Sequence, residues 1–125
     1  MKHLQKSVKK FHRKKGPRAA FIKGLLHNLI MKESIRTTET RAKALRPRVE
    51  KLITLAKKQN IASLRLLIAR VSKEAATKLY YDIAPRYASR SGGYTRITKL
   101  SATRKGDAST QAVIALVHDT KKESQ

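Results

Sequence analysis

The sequence predicts an α+β fold: four helices packed around a small, roughly three-stranded sheet, with a basic extended arm at the N-terminus. Three observations carry that reading. Between Pro17 and Ile83 the apolar residues recur in blocks at helical spacing, separated by caps and breakers. After Gly92-Gly93 the period changes from helical to extended, with YTRITKL at 94–100 and QAVIALV at 111–117. Before Pro17 stands MKHLQKSVKKFHRKKG, rich in lysine and free of acids.

The arm, residues 1–16, holds only Leu4, Val8 and Phe11 as sizeable apolar groups, too few to offset the entropy of ordering it. Pro17 suits the first turn of a helix. Phe21, Ile22, Leu25, Leu26, Leu29 and Ile30 then form a broad apolar face running to about Lys32. Gly24 inside that helix costs about 1 kcal/mol against alanine, which points to close packing there. SIRTTET follows, read as a short strand ending at an N-cap on Thr37 or Thr38. Ala42, Leu45, Val49, Leu52, Ile53 and Ala56 give the strongest periodic signal in the chain, and Pro47 is expected to kink or perturb that helix.

Asn60 is placed as the cap of a third helix with Leu64, Leu67, Ile68 and Val71 inside. Ser72 caps a fourth, with Ala76, Leu79, Tyr80 and Ile83 inside and a stop at Pro85. The apolar run at 112–117 reads as the central strand, flanked by strands near 34–37 and 94–100 and joined to the latter through a Gly106-Asp107 turn. The organisation is then an arm (1–16), one domain (17–118) and a polar tail (119–125). RYASRSGGYTR, residues 86–96, is a helix-to-strand turn in which the glycines supply positive φ. Bare glycine backbone there also lets a phosphate approach N–H groups, with Arg86, Arg90 and Arg96 at hand.

Function is bounded first by charge. The 125 residues carry 30 Lys+Arg against 8 Asp+Glu, a formal net charge of +22, and no cysteine. Self-repulsion of that size calls for a polyanionic partner. Nucleic acid is the first candidate and an anionic membrane surface the second, without membrane insertion, since no apolar run spans a bilayer. The basic, acid-poor N-terminus also has something of a transit peptide, though it is rich in Lys rather than in Arg and Ser. Most of the acids are scattered singly where nearby Lys or Arg can pair with them, as Glu39 with Lys43, four apart in the favourable order. His3, His12, His27 and His118 show no metal-ligand spacing, and His27 is read as a partly buried structural residue. The chain is therefore not expected to be an enzyme, and no cofactor, metal or small-molecule substrate is implied. Few aromatics argue against a base-stacking platform, although Phe11, Tyr87 and Tyr94 are each able to stack one base. Arg41, Lys43, Arg48 and Lys51 form a charged helix face, open to either solvent or phosphates.

Longer strings add specificity. IRTTETRAKALRPRVEKLITLAKK (35–58), PRYASRSGGYTRITKL (85–100) and RKGDASTQAVIALV (104–117), together with the Met1-Lys2-His3 start and Arg18-Ala19, closely resemble the bacterial large-subunit ribosomal protein L-seventeen family. The resemblance covers nearly the whole chain in order. It implies a structural component of the large subunit in the cytoplasmic ribosome, bound to large-subunit rRNA near the polypeptide exit tunnel and touching the small protein L-thirty-two. Family-like positions are Lys2, His3, Arg18, Arg36, Thr37, Thr38, Lys43, Arg90, Gly92, Gly93, Tyr94, Thr95 and Arg96. To these the basic character of the arm adds Lys6, Lys9, Lys10, Arg13, Lys14 and Lys15, and the loops add Arg86, Arg104 and Lys105. The departures lie mostly in the arm, where Leu4-Gln5 and Lys10-Phe11-His12-Arg13 depart from the family pattern.

Overall fold

A computed structural model of the chain describes residue 11 and residues 13–103, 105–106 and 108–118, excepting the side chain of residue 102. Helix α1 is Lys15–Lys32, strand β1 Ser34–Thr38, helix α2 Glu39–Ala56 and helix α3 Ile61–Arg70. A fourth helix, α4, is continuous from Lys73–Lys78 through a π-helical stretch, Leu79–Ile83, to Ala84–Arg86. Strands β2, Thr95–Thr103, and β3, Thr110–Leu116, complete an antiparallel sheet of order β1-β3-β2. The predicted α+β class and the central position of the 112–117 run hold.

Local chemistry explains the boundaries. Thr38 caps α2 by accepting from the Arg41 backbone N–H at 3.3 Å. Asn60 and Ser63 form a reciprocal capping box on α3, and the Ser72 hydroxyl accepts the Ala75 N–H at the start of α4. The Ser72 hydroxyl also lies 2.6 Å from His27 Nδ1, so the partly buried histidine ties α1 to that cap. All six predicted α2 core residues, from Ala42 to Ala56, are buried.

Three local expectations are corrected, while α2 runs on through the exposed Pro47. Gly24 is exposed, and a Cβ there would meet nothing within 4 Å, so it marks no close packing. Pro85 does not stop α4, because the widened π turn before it, with the Ala84 N–H reaching back to Leu79, relieves the clash of its ring with the preceding turn. Ile68 is 39% exposed, while Ser63 takes an interior place on α3.

The register divides the sheet into two faces. Ile35, Ile114 and Ile97 are cross-strand partners, as are Thr37 and Ala112, and this face packs against α1 and α2. On the other face Ser34, Ala115 and Arg96 align, next to Arg36, Val113 and Thr98. Among the described residues helices cover the first face only: Ser34, Arg36, Arg96 and Thr98 are all exposed. No helix among the described residues is long and apolar enough to cross a membrane.

Candidate nucleic-acid interface

The open sheet face brings two of the sequence-predicted residues together. Arg36 stands on β1 opposite Val113, and Arg96 on β2 opposite Ala115. Two strand spacings and two residues of rise put their Cα atoms roughly 12 Å apart, on opposite edges of a floor of small side chains. Neither arginine has an ion pair among the described residues.

The 86–96 segment is built differently from the expectation. Only Gly93 has positive φ, at 63°, so one glycine rather than two makes the turn. Arg90 Nε donates to the carbonyls of Gly92 (3.3 Å) and Gly93 (3.2 Å), closing the loop from within. Lys57 reaches up from the end of α2, donating to the Arg90 carbonyl and to the Tyr94 hydroxyl at 2.9 Å. Tyr87 and Tyr94 are not stacking platforms. Both rings lie in the core, with centroids 5.2 Å apart, and the Tyr87 hydroxyl donates to the Val117 carbonyl at 2.5 Å. Burial holds the Tyr87 phenol above its ordinary pKa. Gly92 and Gly93 themselves stay exposed on this scaffold.

Arg86 is also redirected. Its guanidinium grips both oxygens of Glu33, at 2.6 and 2.9 Å, and Asp82 at 3.0 Å. Lys78 adds a contact to Glu33 at 3.1 Å and donates to the Met31 carbonyl at the end of α1, and His118 lies 3.7 Å from Glu33. The Arg86 hydrogen bonds, followed by that of Lys78, hold the Glu33 carboxyl down to about 2 against the opposing effect of burial. Arg86 is thus a strut between α4 and the α1–β1 corner, not a hand held out to phosphate.

The remaining predicted cations are distributed around the fold. Lys14, Lys15 and the half-buried Arg18 surround the start of α1, while Arg13 stacks 3.9 Å above the Phe21 ring, which also meets Phe11 at 5.5 Å and Arg41 at 4.9 Å. Phe11 is accordingly part of the fold's edge rather than a free base-stacking ring. Lys43 is exposed and paired with Glu39 at 3.0 Å, as its spacing predicts, and Lys99 joins the same carboxylate at 3.2 Å, which keeps the Glu39 carboxyl below the usual range. Lys105 sits exposed at the β2–β3 turn. Lys2, His3, Lys6, Lys9, Lys10 and Arg104 lie outside the described residues, as do His12 and Asp107.

The sequence reading missed how the acids are spent. Glu33, Glu39 and Asp82 are engaged as above, and Glu50 accepts the Thr95 N–H (3.3 Å) and hydroxyl (2.9 Å) with Arg46 at 3.8 Å. Four of the five acids among the described residues are therefore engaged by partners within the fold, leaving most of the described cations without an ion pair. Among the described residues no three His, Asp or Glu side chains cluster in a way that holds a metal. Exposed cations without an ion pair thus spread over a broad part of the described surface.

The family model for ribosomal protein L17 matches residues 21–117 of the chain. A large ribosomal subunit protein bL17 from Persephonella marina is 50% identical over 125 residues, covering 98% of this chain and all of the relative. The protein of the same name from Sulfurihydrogenibium sp. is 48% identical, over 94% of this chain and 97% of its own. That from Lactobacillus helveticus is 44% identical, over 89% and 99%.

Proposed function

This chain belongs to the ribosomal protein L17 family, of the bacterial large ribosomal subunit, and from that premise we propose that it binds and stabilises large-subunit rRNA. The observation that carries the proposal is the imbalance of charge: a net +22, with four of the five described acids already engaged within the fold. Each phosphate neutralised by such a cation releases a counterion, which is the main source of affinity in a backbone-reading protein. The role is structural, with no chemical step, and its setting is the cytoplasmic ribosome.

Three finer parts belong to the same proposal. Residues 1–16 form an arm that threads among rRNA helices, residues 17–118 form the docking domain, and 119–125 a polar tail. The open sheet face, with Arg36 and Arg96, and the glycine loop, with Gly92 and Gly93 exposed and Arg90 closing it, take rRNA backbone. The site lies near the polypeptide exit tunnel beside L-thirty-two.

Salt-matched binding to large-subunit rRNA and to duplex DNA of equal length tests the proposal. If the full chain touches roughly ten phosphates, log K against log salt falls with a slope of about −7 to −9. Tighter binding to rRNA at every salt concentration supports it. Equal affinity for both would overturn it in favour of a DNA-packaging role.

A further inference from the structure

One part of the surface lies apart from the sheet face and takes in Arg48 and Lys51 of the charged α2 face. Between α1, α2 and α3 runs an open groove of about 490 Å³, lined by Ala19, Ile22, Lys23, Leu26, Arg48, Lys51, Leu52, Ala69 and Arg70. Its floor is apolar. Ile22, Leu26 and Leu52 keep 6, 7 and 5% exposure, whereas every other buried apolar residue described is at 3% or less. The groove is thus where the core reaches the surface.

Its rim is wholly cationic. Neither α1 nor α3 contains an acid, and the acid of α2 nearest the groove, Glu50, is turned away toward Thr95 and Arg46. Lys23, Arg48, Lys51 and Arg70 make no ion pair among the described residues. Four uncompensated cations around an apolar floor suit a ligand with a flat apolar body and anionic flanks. That is an unpaired nucleotide within a strand. An acidic protein segment matches less well, because lysine is depleted from the buried centres of protein interfaces while it serves readily as a point charge for phosphate.

We propose that this groove receives one unpaired nucleotide of the bound rRNA, its base against Ile22, Leu26 and Leu52 and its flanking phosphates on the cationic rim. The proposal rests on the rRNA-binding reading and deepens it. Lys51 also lines the shallow cleft beside Ser91, Gly92 and Tyr94, so a strand leaving the groove passes directly to the glycine loop.

The test places a photo-crosslinking phenylalanine derivative at Ala69, which is exposed, and at Leu66, exposed on the same helix but outside the groove. The full-length protein is bound to large-subunit rRNA and irradiated. The expected result is a crosslink to a single rRNA position from residue 69 and none from residue 66. In parallel, Ala69→Trp fills the groove without entering the core and is expected to weaken rRNA binding about tenfold, the size of one lost base contact. Replacing the four rim cations by glutamine is expected to make the salt slope shallower by about 1.5, the share of two flanking phosphates. Circular dichroism verifies that each variant is folded. Retained rRNA binding with no crosslink from residue 69 and an unaltered A69W affinity overturns the groove proposal while leaving rRNA binding intact. A crosslink from residue 69 to a protein in assembled subunits overturns it in favour of a protein partner. Absence of rRNA binding by the unmodified chain defeats the underlying reading instead.

Discussion

Replacing Glu33 by glutamine removes a single charge at the corner where α1, α4 and the end of β3 meet. The carboxylate there accepts two bonds from Arg86 and one from Lys78, and the Glu33 carbonyl accepts the Leu116 N–H at 2.9 Å. Glu33 itself sits at the C-terminus of α1 with φ of 66°, where an acid is disfavoured by the helix dipole and the backbone is strained. The surrounding cations are what make a carboxylate acceptable there. Its pKa falls from 4.5 to about 2, and at about 1.4 kcal/mol per unit the raw stabilisation is about 3.5 kcal/mol. With the side chain 19% exposed, solvent screening reduces this to about 2 kcal/mol. Because the folded-state pKa is depressed, the stabilisation is fully present above the unfolded value of 4.5 and is lost as pH falls toward 2. Urea denaturation followed by circular dichroism, for wild type and E33Q between about pH 2 and 7, reads this directly. The expected gap is about 2 kcal/mol at neutral pH, a Tm difference of roughly 5–12 °C, and it closes almost completely at the acid end. A gap of equal size at both ends would place the effect in packing rather than charge, and a neutral-pH gap of zero would show that the cluster does not stabilise the fold.

Other perturbations separate folding from binding. Gly93→Ala is expected to cost about 1–2 kcal/mol through its positive φ alone, since a Cβ there meets no neighbour, whereas Gly92→Ala leaves thermal stability within about 0.5 kcal/mol and weakens only rRNA binding. Arg36→Glu with Arg96→Glu leaves the melting temperature unchanged and makes the rRNA salt slope shallower by about 2, checked by filter binding across a salt series. Deleting residues 1–10 preserves the circular dichroism spectrum and lowers incorporation into subunits. Extending the deletion through residue 16 also strips Phe11 and Arg13 from Phe21 and lowers stability by about 1 kcal/mol, read by thermal melting.

What the sequence disclosed were features carried by near neighbours. Ala42 to Ala56 announced α2 by spacing, Asn60 and Ser72 announced their helices by cap chemistry, and the unbroken apolar run announced the central strand. What it withheld depends on partners distant along the chain. Arg86 looked free for phosphate because its partner Glu33 stands 53 residues earlier. Tyr87 and Tyr94 looked available for stacking because nothing local reveals that Lys57 and the Val117 carbonyl hold their hydroxyls within the fold. The π turn before Pro85 is a backbone accommodation without a residue signature, and Gly24 was given a packing role that only the surrounding space decides. The groove between α1, α2 and α3 gathers cations from three separated stretches, so no single motif announces it.

If this chain works as an rRNA-bound part of the large ribosomal subunit, it must travel with that subunit. Sedimenting a cell extract containing the tagged full-length chain through a sucrose gradient reads this out. The chain is expected in the large-subunit peak and in fractions of assembled ribosomes, and to leave them on treatment with ribonuclease or high salt. Recovery at the top of the gradient alone, with the large-subunit peak free of the tag, would contradict it.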